Sequence, residues 1–93
     1  MTSEERKIFT EAFQTFGKRN QFVVAIEEMS ELIKELTKNL RGADNIGSIA
    51  EEIADVEIML DQIKLMFCMI QTVRNMREFK ICRLAERIKE AKP

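Results

Sequence analysis

Two segments, Glu-Glu-Met-Ser-Glu at residues 27–31 and Glu-Glu-Ile-Ala-Asp at residues 51–55, carry closely spaced acids inside strongly helical sequence. Residues three apart on an α-helix share a face, so each segment presents two carboxylates together. The pairs are Glu28 with Glu31 and Glu52 with Asp55. If the two helices lie side by side, these acids converge and repel one another unless a cation lies between them. Carboxylate oxygens are natural ligands of Mg2+ and Mn2+, so the pattern predicts a divalent metal site.

The remaining sequence predicts an all-α protein, a four-helix bundle that forms a single domain over residues 1–93. The chain has three glycines and one proline, so little interrupts a helix. The predicted helices cover residues 3–16, 20–40, 49–69 and 72–90. Four features mark their ends: a capping box of Thr2 with Glu5, another of Ser48 with Glu51, a stop at Gly17, and a weak cap at Thr72.

Apolar residues at the helical period show which acids border the core. On the second helix Glu28, Glu31 and Glu35 lie along one edge of the stripe, whereas Glu27 points away. The third helix is apolar on more than one side, which is typical of a central helix or an oligomer interface. On the fourth helix we expect four residues to face inward, with a basic row along their edge. The inward set is Val73, Met76, Leu84 and Ile88, and the basic row is Lys80, Arg83 and Arg87.

Composition excludes several classes of function. The chain has no histidine, which removes imidazole metal sites and histidine-based catalytic triads. A net charge of −1 offers no argument for a nucleic-acid polymer as partner. No apolar run reaches the ~18 residues of a membrane span, and the charged N-terminus lacks a signal core, so we expect no membrane contact and a cytoplasmic location. Cys68 and Cys82 match neither a zinc motif nor a disulfide framework, and we expect buried or half-buried free thiols.

Simpler interpretations exist for each motif. One Glu-x-x-Glu motif alone usually belongs to a solvated face, and only the combination of two pairs favours a metal site. The basic residues of the fourth helix could cover apolar surface with their aliphatic stems. Gln21 lies on the same edge as Glu28, where it could contact a nucleobase or be a plain surface amide.

The two acidic segments together resemble the EExxE…ExxD signature of the MazG-like all-α nucleotide pyrophosphohydrolases. The resemblance extends from about Phe16 to Arg87. One departure is Cys68-Met69, where relatives often have a glycine at the turn between the last two helices.

This resemblance implies metal ligands and catalytic residues at four positions, which are Glu28, Glu31, Glu52 and Asp55. It implies Mg2+, with Mn2+ as an alternative, and phosphate contacts by Lys80 and Arg83. It also implies hydrolysis of a nucleoside triphosphate to monophosphate and pyrophosphate by a homodimer or a dimer of dimers, in the removal of non-canonical or surplus nucleotides. Glu27, Glu35 and Glu51 remain open as proton acceptors.

Two alternatives stay open beside this function. The same fold could bind a metal ion or a nucleotide without turnover. The chain could also be a structural helical bundle whose acids are solvated.

Overall fold

The computed structural model describes residues 1–93 as four α-helices with no β-strand. The helices are α1 (Ser3–Phe16), α2 (Lys18–Leu40), α3 (Ile46–Met66) and α4 (Ile70–Ala91). The prediction of an all-α fold with four helices is therefore confirmed. No helix is both long and apolar enough to cross a lipid bilayer.

The start and end of α1 follow from the predicted local signals. The Thr2 backbone N–H donates to Glu5 Oε1 at 2.7 Å, and the Glu5 N–H donates to Thr2 Oγ1 at 3.0 Å, which completes a capping box. Gly17 adopts a φ of 92°, a conformation that is cheap only for glycine. This single residue ends α1 and lets α2 begin at once in a new direction.

Three predicted helix starts are wrong, the first because α2 begins at Lys18, directly after Gly17, rather than at residue 20. α3 begins at Ile46, three residues before the expected start at Ile49, because Asn45 ends the loop and its side chain bonds back to α2. α3 then stops at Met66 rather than residue 69, and Cys68 takes a positive φ of 52° in the tight turn that follows. α4 starts at Ile70, so Thr72 lies inside the first turn and caps nothing.

α3 is the central helix, as its apolar surface predicted, because it contacts each of the other three. α2 and α3 form an antiparallel hairpin across a short loop, and α1 packs on both. The apolar core is small and comes from the first three helices. It consists of Phe9, Phe13, Ala25, Val56, Met59 and Met66.

A pair of buried amides crosses the hairpin between α2 and α3. Gln21 Nε2 donates to Gln62 Oε1 at 2.9 Å, and both side chains are buried. Gln62 Nε2 in turn lies 3.6 Å from Met59 Sδ. Gln21 is therefore not a surface amide, and its hydrogen bond fixes the register of the two helices at this level.

α4 packs against little of its own chain. It contacts α3 but neither α1 nor α2, and none of its residues is buried. The radius of gyration is 16.3 Å, against about 12 Å for a compact chain of this length. The expectation that α4 faces inward is wrong within one chain, because the helix diverges from the hairpin after the turn. Val73 is half-buried, whereas Met76, Leu84 and Ile88 are exposed.

Both cysteines are free thiols, as predicted, but their expected burial is wrong. Cys68 lies in the exposed turn before α4, and Cys82 lies on the exposed surface of α4 itself. Their exposure has the same cause as that of the apolar residues of α4, since this part of the chain packs only on the end of α3.

We predict that Gln62→Leu lowers the unfolding free energy by about 1–3 kcal/mol, because it leaves the Gln21 amide buried without a partner. The double variant Gln21→Leu/Gln62→Leu should recover most of this loss, since no unpaired polar group remains. Urea denaturation at a fixed protein concentration measures both values, with the exposed Gln14→Leu as control. A double variant less stable than the single one would contradict this account.

Candidate metal centre

Three carboxyl groups converge between α2 and α3. Glu28 comes from the middle of α2, and Glu52 and Asp55 come from one face of α3, where residues three apart project together. One carboxylate oxygen from each residue lies within 4.8 Å of the others. The antiparallel hairpin therefore joins residues from both acidic segments in one small volume, which we call the acidic centre.

Glu52 brings a buried and unpartnered oxygen to the acidic centre. Its Oε2 is buried and has no hydrogen-bond partner. The pKa of Glu52 is raised from its ordinary value of 4.5, first by burial and then by the charges of Asp55, Glu31 and Glu35. A buried carboxylate oxygen without a partner is costly, and a bound cation would remove that cost.

The carboxyl group of Glu28 is perturbed in the same direction. Burial is the largest cause, and the charges of Asp55 and Glu52 raise its pKa further above 4.5. A hydrogen bond between Glu28 and Asp55, which needs a proton on one of the two, adds to the shift. Glu28 and Glu52 thus hold a proton more tightly than free carboxylates do, which is the expected response to burial and to repulsion among clustered anions.

Glu31 lies one turn beyond Glu28 on α2 and is exposed. Its charge raises the pKa of both Glu28 and Glu52, so it lies at the same edge of the hairpin, but it is not among the three groups that converge. Glu27 and Glu51, the direct neighbours of two centre residues, are exposed and outside the cluster.

Glu35 and Asn45 form a hydrogen-bonded pair at the loop end of the hairpin. Asn45 Nδ2 lies 2.7 Å from Glu35 Oε2 and 2.9 Å from the Glu35 carbonyl oxygen. Lys38 Nζ lies 3.3 Å from the other carboxylate oxygen. These bonds, that of Asn45 above all, lower the pKa of Glu35, so this acid stays ionised beside the centre. Asn45 went unrecognised in the sequence, although asparagine directly before a helix is a common start signal.

The predicted phosphate contacts lie apart from the acids. Lys80 and Arg83 are exposed on α4, form no hydrogen bond or ion pair, and belong to a helix that does not touch α2. Gln21, the possible base contact, is occupied by Gln62 inside the hairpin. A single chain therefore assembles three acids of the predicted site and none of its basic residues.

The donor set of the acidic centre fits a hard divalent cation. All three converging groups offer carboxylate oxygen, and the set contains no nitrogen or sulfur donor. Such sets suit Mg2+ or Mn2+, and the unpartnered Glu52 oxygen is a coordination atom that no protein group satisfies. Glu28, Glu52 and Asp55 could therefore hold one ion, with Glu31 close enough to add its charge.

Neither protein-family models, nor curated protein sequences, nor solved structures give a match to this chain.

We predict that, with divalent ions chelated, the unfolding free energy falls as pH rises above 4.5. Glu28 and Glu52 have raised pKa values, so the native chain keeps protons that the unfolded chain loses in this window. Glu5 and Glu35 have lowered pKa values, so their contribution to the unfolding free energy is lost as the pH falls below 4.5. Urea denaturation across this pH range measures the slope.

The double variant Glu28→Gln/Glu52→Gln should flatten the decrease above pH 4.5, because it removes both perturbed groups. Glu27→Gln/Glu57→Gln, which changes two exposed acids outside the acidic centre, should retain it. A wild-type stability that is constant or rising over this window would refute the described electrostatics of the acidic centre.

Proposed function

We propose that this chain is a Mg2+-dependent nucleoside triphosphate pyrophosphohydrolase of the MazG-like type, which removes non-canonical or surplus nucleotides. The observation that carries the proposal is the convergence of Glu28, Glu52 and Asp55 around an unpartnered buried oxygen. These residues come from the two halves of the EExxE…ExxD pattern, which were predicted to meet. The resemblance supplies the reaction, and the acid geometry supports it.

In this proposal, Glu28, Glu52 and Asp55 hold the cation, and Glu31 adds negative charge beside it. Mg2+ held there would offset the negative charge of these carboxylates and would supply Lewis-acid chemistry for the hydrolysis of a phosphoanhydride bond. The bonds from Asn45 and Lys38 engage both carboxylate oxygens of Glu35 and lower its pKa, which weakens it as a base, so Glu27, Glu35 and Glu51 all stay open as the proton acceptor. The products are a nucleoside monophosphate and pyrophosphate.

A second copy of the chain completes this proposal. One side of the α2–α3 hairpin carries two adjoining rows of exposed apolar residues, which we call the hairpin face. The rows meet where the rings of Phe22 and Phe67 stack edge to face at 6.3 Å. The exposed members are Phe22, Ile26, Ile33, Leu36 and Leu40 on α2, and Ile46, Ile53, Leu60 and Phe67 on α3.

The spacing on α2 identifies a helical partner. Its row follows the alternating four- and three-residue steps of a helix-packing seam, with Met29 at the intervening position. The face spans residues 22–40, about 27 Å of helix. A patch of this length is typical of an interface, and the homodimer implied by the resemblance would cover it. α4 has no buried residue, and a second copy would cover it as well.

One observation favours the alternative of a binding module without turnover. Within one chain Lys80 and Arg83 lie on a helix that does not reach the acidic centre. Without a basic side chain nearby, the acidic centre would bind a metal ion but would lack groups to orient a triphosphate. The two functions separate by whether pyrophosphate is released.

We predict Mg2+-dependent release of pyrophosphate, and not orthophosphate, when the protein is incubated with a panel of nucleoside triphosphates. Glu52→Gln should lower the rate about 100-fold or more, beyond the loss typical of an outer-shell change, without lowering stability, since it relieves repulsion. Glu27→Gln, an exposed neighbour of the acidic centre, serves as control and should retain the rate. Product analysis and thermal denaturation provide the measurements.

Three other outcomes would redirect the proposal. Nucleotide binding with no pyrophosphate would indicate the binding module. Failure to bind or turn over any nucleotide with Mg2+ or Mn2+ would end the enzyme proposal. Thermal stability unchanged by Mg2+ or by a chelator would favour a structural bundle, since an ion that binds only the native state must stabilise it.

We predict that the wild-type chain dimerises and that Ile33→Glu dissociates it, because a charge at an exposed seam position cannot be desolvated in the interface. Ile33 is 64% exposed in the single chain, so the substitution costs little in the monomer. Lys34→Gln changes the net charge equally at the next position, off the seam, and should leave the dimer intact. Sedimentation over a concentration series measures both, and a monomeric wild type would exclude the interface.

A further inference from the structure

A second charged site lies at the other end of α3, where α1, α3 and α4 come together. A cleft of about 580 Å3 is lined there by Arg6, Lys64 and Arg74, one residue from each of the three helices. Thr10 and Gln71 add polar groups to its wall. An adjoining cleft of about 240 Å3 shares the three cations and adds Arg77. We call the two together the basic cleft.

The positive charge of the basic cleft is not balanced by the protein. Asp61 is the one acid among its lining residues, and its carboxylate lies 3.2 Å from Lys64 Nζ. Arg6, Arg74 and Arg77 form no ion pair. Three arginines that share a cleft without partners repel one another, and an anion that reaches them would lower the free energy.

The start of α4 adds to this positive field. Ile70 and Gln71, its first two residues, line the cleft. The first turn carries no acid, and no side chain caps its backbone N–H groups. The N-terminal end of a helix is electropositive, and arginines close to it are unfavourable unless an anion is present. The helix end and the arginines therefore select the same sign of ligand.

We propose that the basic cleft binds an anion with at least two linked phosphate groups, either pyrophosphate or the phosphate chain of a nucleotide, without a metal ion. Guanidinium groups form bidentate hydrogen bonds with phosphate oxygens, and here the guanidinium groups come from separate helices. An extended anion can engage Arg6 and Arg74 together, whereas a single orthophosphate offers fewer oxygens to share among them.

Binding of this kind has a structural consequence. The backbones of α1 and α4 do not approach each other closely. An anion held by Arg6 on α1 and by Arg74 on α4 would bridge the two helices and fix the direction of α4. The site is separate from the acidic centre, because Asp55 and Lys64 are nine residues apart on α3, about 14 Å along the helix.

The test is calorimetric titration of the full chain with inorganic pyrophosphate in the presence of a metal chelator. The wild-type protein should bind pyrophosphate. Arg74→Gln and Arg6→Gln should each raise the dissociation constant about tenfold or more, as expected for a lost charge-assisted hydrogen bond. Arg87→Gln, which removes the same charge from α4 outside the cleft, is the matched control and should change affinity less than about twofold. Circular dichroism verifies that each variant is folded.

Two further ligands and one acid variant sharpen the result. ATP should bind through the same arginines, whereas orthophosphate should bind more weakly than pyrophosphate. Orthophosphate binding as tight as that of pyrophosphate would overturn the requirement for linked phosphates, and ATP binding without pyrophosphate binding would overturn recognition of the phosphate chain. Glu52→Gln should bind pyrophosphate like wild type, since the acidic centre repels anions when no metal is present.

Absence of pyrophosphate binding at about 5 mM, or equal binding by wild type and Arg74→Gln, would overturn the proposal, because a site that uses these arginines cannot be indifferent to one of them. The outcome is independent of the proposed hydrolysis. A chain that binds pyrophosphate under chelation but hydrolyses no nucleotide keeps the basic cleft and loses the enzymatic function. A chain that hydrolyses nucleotides without this binding does the reverse.

Discussion

The register of the α2–α3 hairpin is the constraint on which the acidic centre depends. Two polar contacts set it, the Gln21–Gln62 amide pair at one end and the Asn45–Glu35 bonds at the loop end. Glu28 and Asp55 lie between these two points, so their approach is imposed by contacts that involve neither of them. A slip of one helical turn would separate the acids and leave two buried amides without partners, which makes the alternative register costly.

This arrangement places repulsion inside a molecule that has little core to offset it. The apolar core comes from three helices, and α4 contributes no buried residue. A helix of this length packed along so little of its surface is marginal alone, because helices in proteins are stabilised mainly by tertiary contacts. The hairpin face and α4 therefore both expose apolar surface that one chain does not bury. A partner surface would cover both.

The sequence was informative where a local signal and the periodic pattern agreed. The Thr2–Glu5 box, the Gly17 stop and the central position of α3 follow from short-range chemistry and helical period, and the structure confirms them. The starts of α3 and α4 were misplaced because weaker signals at Ser48 and Thr72 compete with the long-range bond of Asn45 and with the turn at Cys68. No window of sequence reveals that Gln21 meets Gln62, forty-one residues away. The course of α4 was equally hidden, since an amphipathic pattern shows that a face will be covered but not by which chain.

Two clusters of opposite charge, the acidic centre and the basic cleft, lie at different ends of α3. The acidic centre lies beside the first half of the helix, and the basic cleft surrounds its last turn, with Lys64 as the only α3 residue that faces it with a positive charge. Separation by about 14 Å exceeds the screening length at physiological ionic strength, so neither cluster neutralises the other through solvent. Neither cluster therefore supplies the counter-charge of the other. In the two proposals a cation would balance the acidic centre and a polyphosphate would balance the basic cleft, so each site would take a ligand of the opposite charge.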